Sequence, residues 1–367
     1  MTTIAVIGLG TMGLGIVQTW AAAGFDVLAT DTHEPARATA QARLLAALTP
    51  RVEAGKMGPS DRDAILARVR IVADLSMLQG ADLAVEAVVE RLEVKQALFA
   101  KLEQHLGPGA ILATNTSSLS VTAIAGGLRH PERLLGLHFF NPAPVMKLVE
   151  LVSHPAASTD ALTRARAITE AAGKTVIQCP DRPGFIVNRC ARPFYGEALA
   201  MVEEVRSPLD IDAAMMAAGY RLGPFALIDL VGADINLAAT ESLFAAMDRH
   251  PRYHVFDALR AQVAKGDLGR KSGTGFVFPQ KPGAPPADAD AIVLRIEAAL
   301  INEAAWLLSE GGTTREWIDT ALKLGLNFPR GPFEMQARHG AAIETELARL
   351  EARAPAHLTS RYLPPTG

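Results

Sequence analysis

The sequence predicts an α/β domain with a doubly wound, mostly parallel sheet, followed by an all-α region that contains a second, degenerate helical module. Short apolar segments rich in β-branched residues alternate with helical segments in the first half of the chain, as in parallel sheets covered on both faces. A glycine-rich turn follows the first of these segments, and the second half repeats a helical pattern. With 367 residues, 49% of them hydrophobic, the chain is long enough for more than one core.

Composition and charge exclude several classes of protein. The formal net charge of −3 gives no basic field, so we expect neither a nucleic acid nor a membrane as partner. No uncharged run is long enough to span a bilayer and the N-terminus lacks a signal-peptide layout, which favours a cytoplasmic protein. Cys179 and Cys190 have neither CxxC nor ligand spacing, so we expect reduced thiols and no metal site.

The first element is a buried strand, Thr3–Ile7, followed at once by a GxGxxG turn and a helical stretch that closes at Gly24. In such a turn the first glycine allows the bend, the second admits a pyrophosphate, and the third lets the helix pack on the strand. Glycine turns also occur for packing alone, so the motif needs support from its surroundings. The cofactor-binding residues that it predicts are Gly8, Gly10, Thr11, Met12 and Gly13.

That support comes from the second strand, Asp26–Ala29, which leads into Asp31 about twenty residues beyond the glycines. A carboxylate at this position binds the ribose 2′-hydroxyl and repels a 2′-phosphate, which predicts NAD as the cofactor. The alternative is that Asp31 caps the helix beginning near Glu34.

A charged helical arm with a break at Gly55–Pro59 comes next, and three further strands are predicted at Arg70–Ala73, Leu83–Val89 and Ile111–Thr114. Polar residues follow the ends of these strands and of the strand after them. Because ligands bind outside the carboxyl ends of parallel strands, we expect these residues at one edge of the sheet. They are Glu90, Asn115, Ser117 and His138, the first two on the cofactor side. Alternatively, Ser117 or Ser118 caps the following helix.

The chemistry is expected to converge on GLHFFNPAPVMKLVELV, from Gly136 to Val152. This segment reads as two apolar strands, one carrying His138 and the other Glu150, joined through a turn at Asn141. A buried base oriented by a buried acid is the predicted device. Taken alone, His138 is better interpreted as a satisfied core histidine, and Glu150, Ser117 and the glycine turn reverse that preference.

The helical region begins near Asp181 with RPGFIVNR, where Asn188 needs a backbone partner or a substrate oxygen for its amide. It ends with LGRKSGTGFVF, in which Lys271 reaches either the cofactor or solvent. The expected boundaries are a dinucleotide-binding domain at 1–182, a helical domain at 183–278, a linker at 279–290, a second helical module at 291–345, and a loosely held tail at 346–367.

The second module is a shortened copy of the first. The matched pairs are Ile186–Arg189 with Ile292–Arg295, Glu197 with Glu303, Ile211–Asp212 with Ile318–Asp319, and Gly223–Phe225 with Gly331–Phe333. In the copy, Leu294 replaces Asn188. We therefore expect a single active cleft per chain.

Taken together, GLGTMGLGI, VEAVVERLEVK, ATNTSSLSV, GLHFFNPAPVMKLVE, RPGFIVNR, GPF and GRKSGTGF resemble the L-3-hydroxyacyl-CoA dehydrogenases, including bacterial members with two helical modules. The resemblance implies a Rossmann domain followed by helical domains, with NAD and an acyl-CoA meeting between them, and a role in fatty acid metabolism such as β-oxidation. His138 would be the base, Glu150 would hold its imidazole, and Ser117 and Asn188 would bind substrate oxygens. The residues that would contact NAD are Asp31, Glu90, Lys95 and Lys271.

Two other functions remain open at this stage. Relatives that oxidise free hydroxy acids, of the gulonate or carnitine type, resemble HPxNP where this chain has HFFNP, which favours the CoA ester. A non-catalytic NAD-binding protein is the second alternative, and the intact His138, Glu150, Ser117 and Asn188 argue against it. The chain is expected to be a homodimer, or a monomer in which residues 291–340 cover the dimer surface.

Overall fold

The computed structural model describes residues 2–365 and divides the chain into two compact units, residues 1–182 and 183–367. The first unit is a sheet flanked by helices. Its strands are β1 (Thr3–Ile7), β2 (Asp26–Thr30), β3 (Val69–Ile71), β4 (Leu83–Glu86), β5 (Ile111–Thr114), β6 (Leu134–Phe139), β7 (Leu148–Ser153) and β8 (Thr175–Pro180). Its helices are α1 (Thr11–Ala22), α2 (Glu34–Glu53), α3 (Pro59–Ala67), α4 (Leu92–His105), α5 (Val121–Ala125) and α6 (Thr159–Ala171).

The eight strands form one sheet in the order β3-β2-β1-β4-β5-β6-β7-β8. The first six in this order are mutually parallel, whereas β7 runs antiparallel to β6 and β8 runs parallel to β7. The winding direction changes between β1 and β4, and such a switch point opens a crevice at the carboxyl ends of the strands. The predicted α/β class is confirmed.

The core of the first unit lies where helices cover the central strands. Trp20 of α1 is fully buried and meets the rings of Phe25 and Phe139 edge-on, at centroid distances of 5.5 and 6.0 Å. The strands are apolar on both faces because helices lie on both sides, so β1, β4 and β5 read as continuous hydrophobic runs.

Two predicted strands differ from the structure at their ends. The third strand covers Val69–Ile71, and β4 ends at Glu86 because the chain then turns and Val88 N–H donates to the Glu86 carboxylate. Helix α6 and strand β8 were not predicted. The sequence of β8, TVIQCP, mixes polar and apolar residues, since the strand is the outermost of the sheet and only part of it is buried.

All named elements of the second unit, over the residues that the structure describes, are helices. Its helices are α7 (Val187–Cys190), α8 (Arg192–Glu203), α9 (Pro208–Ala217), α10 (Pro224–Val231), α11 (Ala233–Ala246), α12 (Asp257–Ala264), α13 (Ala289–Ser309), α14 (Arg315–Leu326), α15 (Pro332–His339) and α16 (Ala342–Arg353). The long α13 is the centre of the unit and packs against α8, α9, α15 and α16.

Reciprocal ion pairs join the two copies of the repeat within this unit. Arg189 of the first copy donates to Glu303 of the second at 2.6 Å, and Arg295 of the second donates to Glu197 of the first at 3.1 Å. The outer ends of the two guanidinium groups pair in the same reciprocal way with Glu310 and Glu204. The two copies are therefore related by an approximate twofold arrangement of contacts.

The expectation of a loosely held tail is wrong. Arg361 is 3% exposed and its guanidinium pairs with the buried Glu197 at 2.7 Å, while the Tyr362 hydroxyl donates to the same carboxylate at 3.0 Å. Helix α16 continues to Arg353, across the expected boundary at residue 345. A basic, proline-containing stretch has the composition of a frayed end, whereas contacts with residues distant in sequence, including Glu197 and Trp306, hold this one in place.

No helix within residues 2–365 is long and apolar enough to cross a membrane. In the same part of the chain, no cluster of three or more histidine, cysteine or carboxylate side chains has the geometry to hold a metal ion.

Candidate active site

The glycine turn after β1 separates into two crowded positions and one open position. Gly8 has φ of +102°, and a Cβ there would lie 2.4 Å from the carbonyl oxygen of Ala87. A Cβ on Gly13 would lie 1.8 Å from the carbonyl oxygen of Gly8. Gly10, in contrast, is exposed and a Cβ there would meet no atom within 4 Å. Packing within the chain therefore requires glycine at positions 8 and 13, whereas Gly10 leaves open space above the backbone.

Helix α1 begins directly beneath this space, with Gly10 as its N-cap and Thr11 and Met12 as its first residues. Its N-terminus has no side-chain cap and no acidic residue in the first turn. The N–H groups at a helix N-terminus have no partner inside the helix and carry a partial positive charge, so they bind phosphate oxygens. The turn therefore has the shape and charge to hold a pyrophosphate.

Asp31 lies immediately after β2, and its carboxylate faces the glycine turn. Its Oδ2 accepts the N–H of Leu9 at 2.7 Å, and its Oδ1 accepts the N–H of His33 at 2.8 Å. His33, not Asp31, is the N-cap of α2, so the alternative role of Asp31 as a helix cap is not observed. This carboxylate is placed beside the turn where a ribose adjoining the pyrophosphate would lie.

A buried carboxylate–ammonium network forms the end of β4. Lys95 of α4 is 1% exposed, and its Nζ lies 2.6 Å from Glu86 Oε1 and 3.1 Å from Glu90 Oε2. Glu86 is fully buried and also accepts the hydroxyl of Thr114 at 2.7 Å. Sequence reasoning missed Glu86, although a single carboxylate inside the apolar run LAVEAVV was the available signal.

Glu90 connects this network to the segment after β5. It accepts the hydroxyl of Thr116 at 2.6 Å and the N–H groups of Ser117 and Ser118 at 2.9 and 3.2 Å. Burial opposes ionisation, but the Lys95 charge and these hydrogen bonds hold the pKa of Glu90 below its usual value. An ionised Glu90 therefore fixes the backbone that carries Ser117, whose side chain is exposed.

Asn115 links the ends of β5 and β6. Its side-chain oxygen accepts the N–H of Phe139 at 2.8 Å, and its own N–H donates to the Glu86 carbonyl at 2.8 Å. The cap of helix α5 is Ser120, whose hydroxyl accepts the N–H of Ala123, so neither Ser117 nor Ser118 has that role.

His138 and Glu150 face each other across the antiparallel pair β6 and β7, where they are register partners. The imidazole Nδ1 lies 2.7 Å from Glu150 Oε2, the histidine is 6% exposed, and the carboxylate is fully buried. The register places the two side chains on the same face of the sheet. A carboxylate on Nδ1 fixes the ring orientation and favours the tautomer with its proton on Nδ1.

Around the His138–Glu150 pair lie an aromatic ring, a buried thiol and a backbone segment that a lysine holds in place. The ring of Phe140 lies 4.5 Å from that of His138, and burial together with the Glu150 charge raises the pKa of the Cys179 thiol on β8. The segment between β6 and β7 is held by Lys174, whose ammonium donates to the carbonyl oxygens of Ala143 and Met146 at 2.5 and 2.8 Å. The His138–Glu150 pair therefore lies beside an aromatic ring and a buried thiol, next to a segment that Lys174 holds in place.

The two remaining predicted site residues belong to the second unit. Asn188 lies in the short helix α7 and is half-buried, and its carbonyl oxygen accepts Arg192 Nε at 3.2 Å. Lys271 lies in an exposed loop, where its ammonium pairs with Asp234 at 2.5 Å. This loop is held by Asp229, whose carboxylate accepts consecutive backbone N–H groups from residues 276–278.

The sheet order, the open glycine turn and the carboxylate after β2 are typical of the dinucleotide-binding domains of NAD-dependent oxidoreductases. Residues 3–182 match the family model of the 3-hydroxyacyl-CoA dehydrogenase NAD-binding domain, and residues 184–278 and 292–365 match that of the C-terminal domain of the same enzymes. The chain belongs to the 3-hydroxyacyl-CoA dehydrogenase family, as the sequence motifs predicted.

Several relatives have specific names. A 3-hydroxyadipyl-CoA dehydrogenase of Escherichia coli is 46% identical over 275 residues, which are 74% of this chain and 58% of that protein, so the match spans little more than half of that relative. A probable 3-hydroxybutyryl-CoA dehydrogenase of Bacillus subtilis is 38% identical, over 74% of this chain and 96% of its own length. The crystal structure of an E. coli 3-hydroxybutyryl-CoA dehydrogenase has a TM-score of 0.91 and 34% identity, covering 100% of this chain and 97% of that one.

Proposed function

We propose that the protein oxidises the 3-hydroxyl group of an L-3-hydroxyacyl-CoA to a ketone, with NAD as the oxidant. The observation that carries this proposal is the His138–Glu150 pair, held at 2.7 Å in the same unit as the dinucleotide turn. The names of the relatives support a 3-hydroxyacyl-CoA as substrate. NAD, when bound, supplies the acceptor for the hydride that leaves C3.

His138 acts as the general base in this proposal. Its Nε2 takes the proton of the 3-hydroxyl group as C3 is oxidised, because Nδ1 is already engaged with Glu150. The imidazole becomes positively charged in this step, and the buried carboxylate of Glu150 stabilises that charge at short range. In the reverse direction, the same imidazolium returns the proton to the 3-oxo group.

Ser117 and Asn188 are proposed to hold the substrate oxygens. The N–H of Ser117 is fixed by Glu90, and the residue is exposed. Asn188 offers an amide that is only half-buried in its own unit. An amide or hydroxyl that bonds a neutral substrate oxygen contributes ~0.5–1.5 kcal/mol, so these residues are expected to matter less than the base.

The dinucleotide is proposed to lie over Gly8, Gly10 and Gly13, with the N–H groups of Thr11 and Met12 toward its phosphates. Asp31 binds the adenosine ribose. The other residues assigned to this side are Glu90, Lys95, Asn115 and Lys271. Because Lys95 is 1% exposed and bound to Glu86 and Glu90, its influence passes through Glu90.

The test is NADH consumption with acetoacetyl-CoA by wild type and by His138→Gln, which keeps a polar side chain of similar size. Loss of a general base costs ~10²–10⁴-fold in kcat, so the variant is expected to fall by that factor while still binding NADH. His130→Gln is the matched control, because His130 is exposed and pairs only with Glu132 among described residues. Full activity in His138→Gln would refute the role of the histidine.

Free hydroxy acids and NADH binding complete the experiment. Gulonate and carnitine are expected to give no turnover where the CoA ester does. Tight NADH binding without turnover of any 3-oxoacyl-CoA would instead favour a non-catalytic NAD-binding protein.

A further inference from the structure

Arg192, the first residue of α8, is a buried cation without a counter-charge. It is 9% exposed, its Nε donates to the Asn188 carbonyl at 3.2 Å, and its Nη1 donates to the Thr240 hydroxyl at 3.0 Å. The guanidinium carbon lies 4.9 Å from the centre of the Tyr195 ring. Among residues 2–365, no carboxylate lies within 4.0 Å of this guanidinium. A buried charge without a partner is costly and needs an explanation.

Other buried arginines of the same unit are neutralised. Arg189, Arg295 and Arg361 each pair with a buried glutamate. Burial lowers the pKa of Arg192, whereas the carboxylates around Arg189 raise its pKa in spite of burial. The unit thus supplies counter-charges to its structural arginines and leaves Arg192 without one.

The second copy of the repeat shows that the module folds without this arginine. The offset of 106 residues between Arg189 and Arg295 places Ala298 opposite Arg192. Ala298 is fully buried in the middle of a regular helix, α13. The copy has also replaced Asn188 by Leu294. The same copy therefore lacks both the proposed substrate amide and the arginine, which suggests that the two serve one ligand.

One polar residue of α11, Thr240, contacts Arg192, and its hydroxyl also binds the backbone of a second polar residue, Asn236. Thr240 accepts from Arg192 and donates to the carbonyl oxygen of Asn236, one turn earlier on the helix. The side-chain oxygen of Asn236 is buried and has no hydrogen-bond partner among the described residues. A small cavity borders Arg192, Tyr195 and Thr240.

Resting on the function proposed above, we infer that Arg192 binds a carboxylate at the far end of the acyl chain, so that the substrate is the CoA ester of a 3-hydroxy dicarboxylic acid. A carboxylate provides the missing charge and accepts two parallel N–H bonds from a guanidinium. Arg192 follows Asn188 by about one helical turn, ~6 Å along a helix. In a six-carbon diacid, C3 is three bonds, or about 4 Å, from the terminal carboxyl carbon. One substrate can therefore reach both Asn188 and Arg192.

The experiment compares two substrates that differ only at the end of the chain. 3-Oxoadipyl-CoA ends in a carboxylate, and 3-oxohexanoyl-CoA has a methyl group at the same carbon. NADH consumption gives kcat/KM for both with wild type, Arg192→Met and Arg192→Lys. Wild type is expected to prefer the diacid. Arg192→Met should lose ~10–100-fold on the diacid, as for a hydrogen bond to a charged group, and stay within about threefold on 3-oxohexanoyl-CoA. Arg192→Lys should recover part of the loss.

Controls separate this inference from the proposed function and from folding. Arg260→Met removes an arginine that is 45% exposed and should change neither kcat/KM. Wild type that turns over 3-oxohexanoyl-CoA without preferring the diacid overturns the role of Arg192 but not the dehydrogenase. No turnover of either substrate overturns the proposed function itself. Equal losses on both substrates in Arg192→Met and Arg192→Lys would make the arginine structural and refute the inference. If Arg192→Met does not fold, two results decide: the preference of wild type for the diacid, and the ratio of kcat/KM on the two substrates in Arg192→Lys.

Discussion

Asp31, directly after β2, has two arginines close to its backbone and to that of Leu9. Arg37 Nη1 donates to the Asp31 carbonyl at 2.5 Å, and Arg43 Nη1 donates to the Leu9 carbonyl at 2.8 Å. Two guanidinium groups thus bind the backbone of the two residues that the Asp31 side chain joins, and we expect its carboxylate to repel a 2′-phosphate. We propose that the negative charge of Asp31 makes this cationic neighbourhood favour NAD over NADP.

Replacing Asp31 by serine is therefore expected to change the cofactor preference. The variant should lose ~10-fold or more in kcat/KM with NAD, because a charge-assisted bond to the ribose is gone, and should gain activity with NADP. Steady-state kinetics with each cofactor give the ratio of kcat/KM with NAD to kcat/KM with NADP. Asp26→Ser, at the exposed start of β2, is the control and should leave the ratio unchanged. An unchanged ratio in Asp31→Ser would contradict the assignment.

The residues that sequence reasoning missed are those whose role depends on burial. Asp31 and the glycines follow from a local pattern, and the His138–Glu150 pair follows from two neighbouring apolar strands that each carry one ionisable residue. Glu86 is different, because its partners Lys95 and Thr114 come from α4 and β5, and only the folded sheet brings them together. Long-range polar networks leave little trace in a single sequence.

Among the helices, the repeated GPF motif has a structural explanation. Asp212 accepts the N–H groups of Phe225 and Ala226 at 2.9 and 2.7 Å, and so caps the N-terminus of α10 from the preceding helix. A Cβ on Gly223 would lie 2.3 Å from the Asp212 carboxylate, so only glycine fits. The second copy repeats this cap with Asp319 at the start of α15, at 2.8 Å. The motif therefore belongs to the packing of each module.

Asp212 should make the stability of the protein depend on pH. Burial, reinforced by the like charge of Asp229, raises the pKa of Asp212 to about 7 against the two N–H bonds. Because the pKa of this carboxyl group is lower in the unfolded chain, the folded protein keeps the proton up to a higher pH. The contribution to stability is therefore largest at low pH and is lost as pH rises from about 4 to about 7.

Asp212→Asn removes this titration. Between pH 4.5 and 8, wild type should lose stability relative to the variant by on the order of a few kcal/mol, as measured by urea unfolding at each pH. The exposed Asp257→Asn serves as the control. A difference between wild type and Asp212→Asn that is constant with pH would rule out a raised pKa.

The C-terminal segment gives a second prediction about an element of the fold. Arg361→Met leaves the buried Glu197 with fewer positive partners, and breaking a buried ion pair costs about 3–5 kcal/mol. Arg349→Met removes only a partly exposed pair with Glu346 and should cost less than about 1 kcal/mol. Urea unfolding of both variants provides the comparison. Equal effects would mean that the tail adds little to the fold.

At the scale of the whole chain, the hydrogen-bonded partners of Glu197 and Glu303 show why the end of the second module is hard to predict from sequence. Arg252 and Tyr253 bind Glu303, and Arg361 and Tyr362 bind Glu197 in the same way. We propose that the second module extends to Tyr362. An Arg-Tyr dipeptide is too short a signal to align two copies, whereas the longer matches at residues 186–189 and 292–295 were found from sequence.

The reciprocal pairs also predict how a single module would behave. Helix α13 covers the apolar faces of α8 and α9, with Ile296 and Leu300 fully buried, so a chain ending at residue 278 would expose this surface. Because Glu303 is the counterpart of Glu197, Arg189 of one truncated chain can pair with Glu197 of another, as it pairs with Glu303 now. We expect the full chain to be monomeric and the truncated chain to form a twofold dimer.

Light scattering measures the oligomeric state of the full and truncated chains. Exchanging the charges of Arg189 and Glu197 tests the contact between them. In the truncated chain, Arg189→Glu places like charges at the buried interface and should abolish the dimer, since an unpaired buried charge is strongly unfavourable. Adding Glu197→Arg restores opposite charges at both symmetric contacts and should restore the dimer. The exposed Arg260→Glu should leave it intact. A dimeric full chain, or a truncated dimer indifferent to Arg189→Glu, would show that the second module does not occupy the place of a partner subunit.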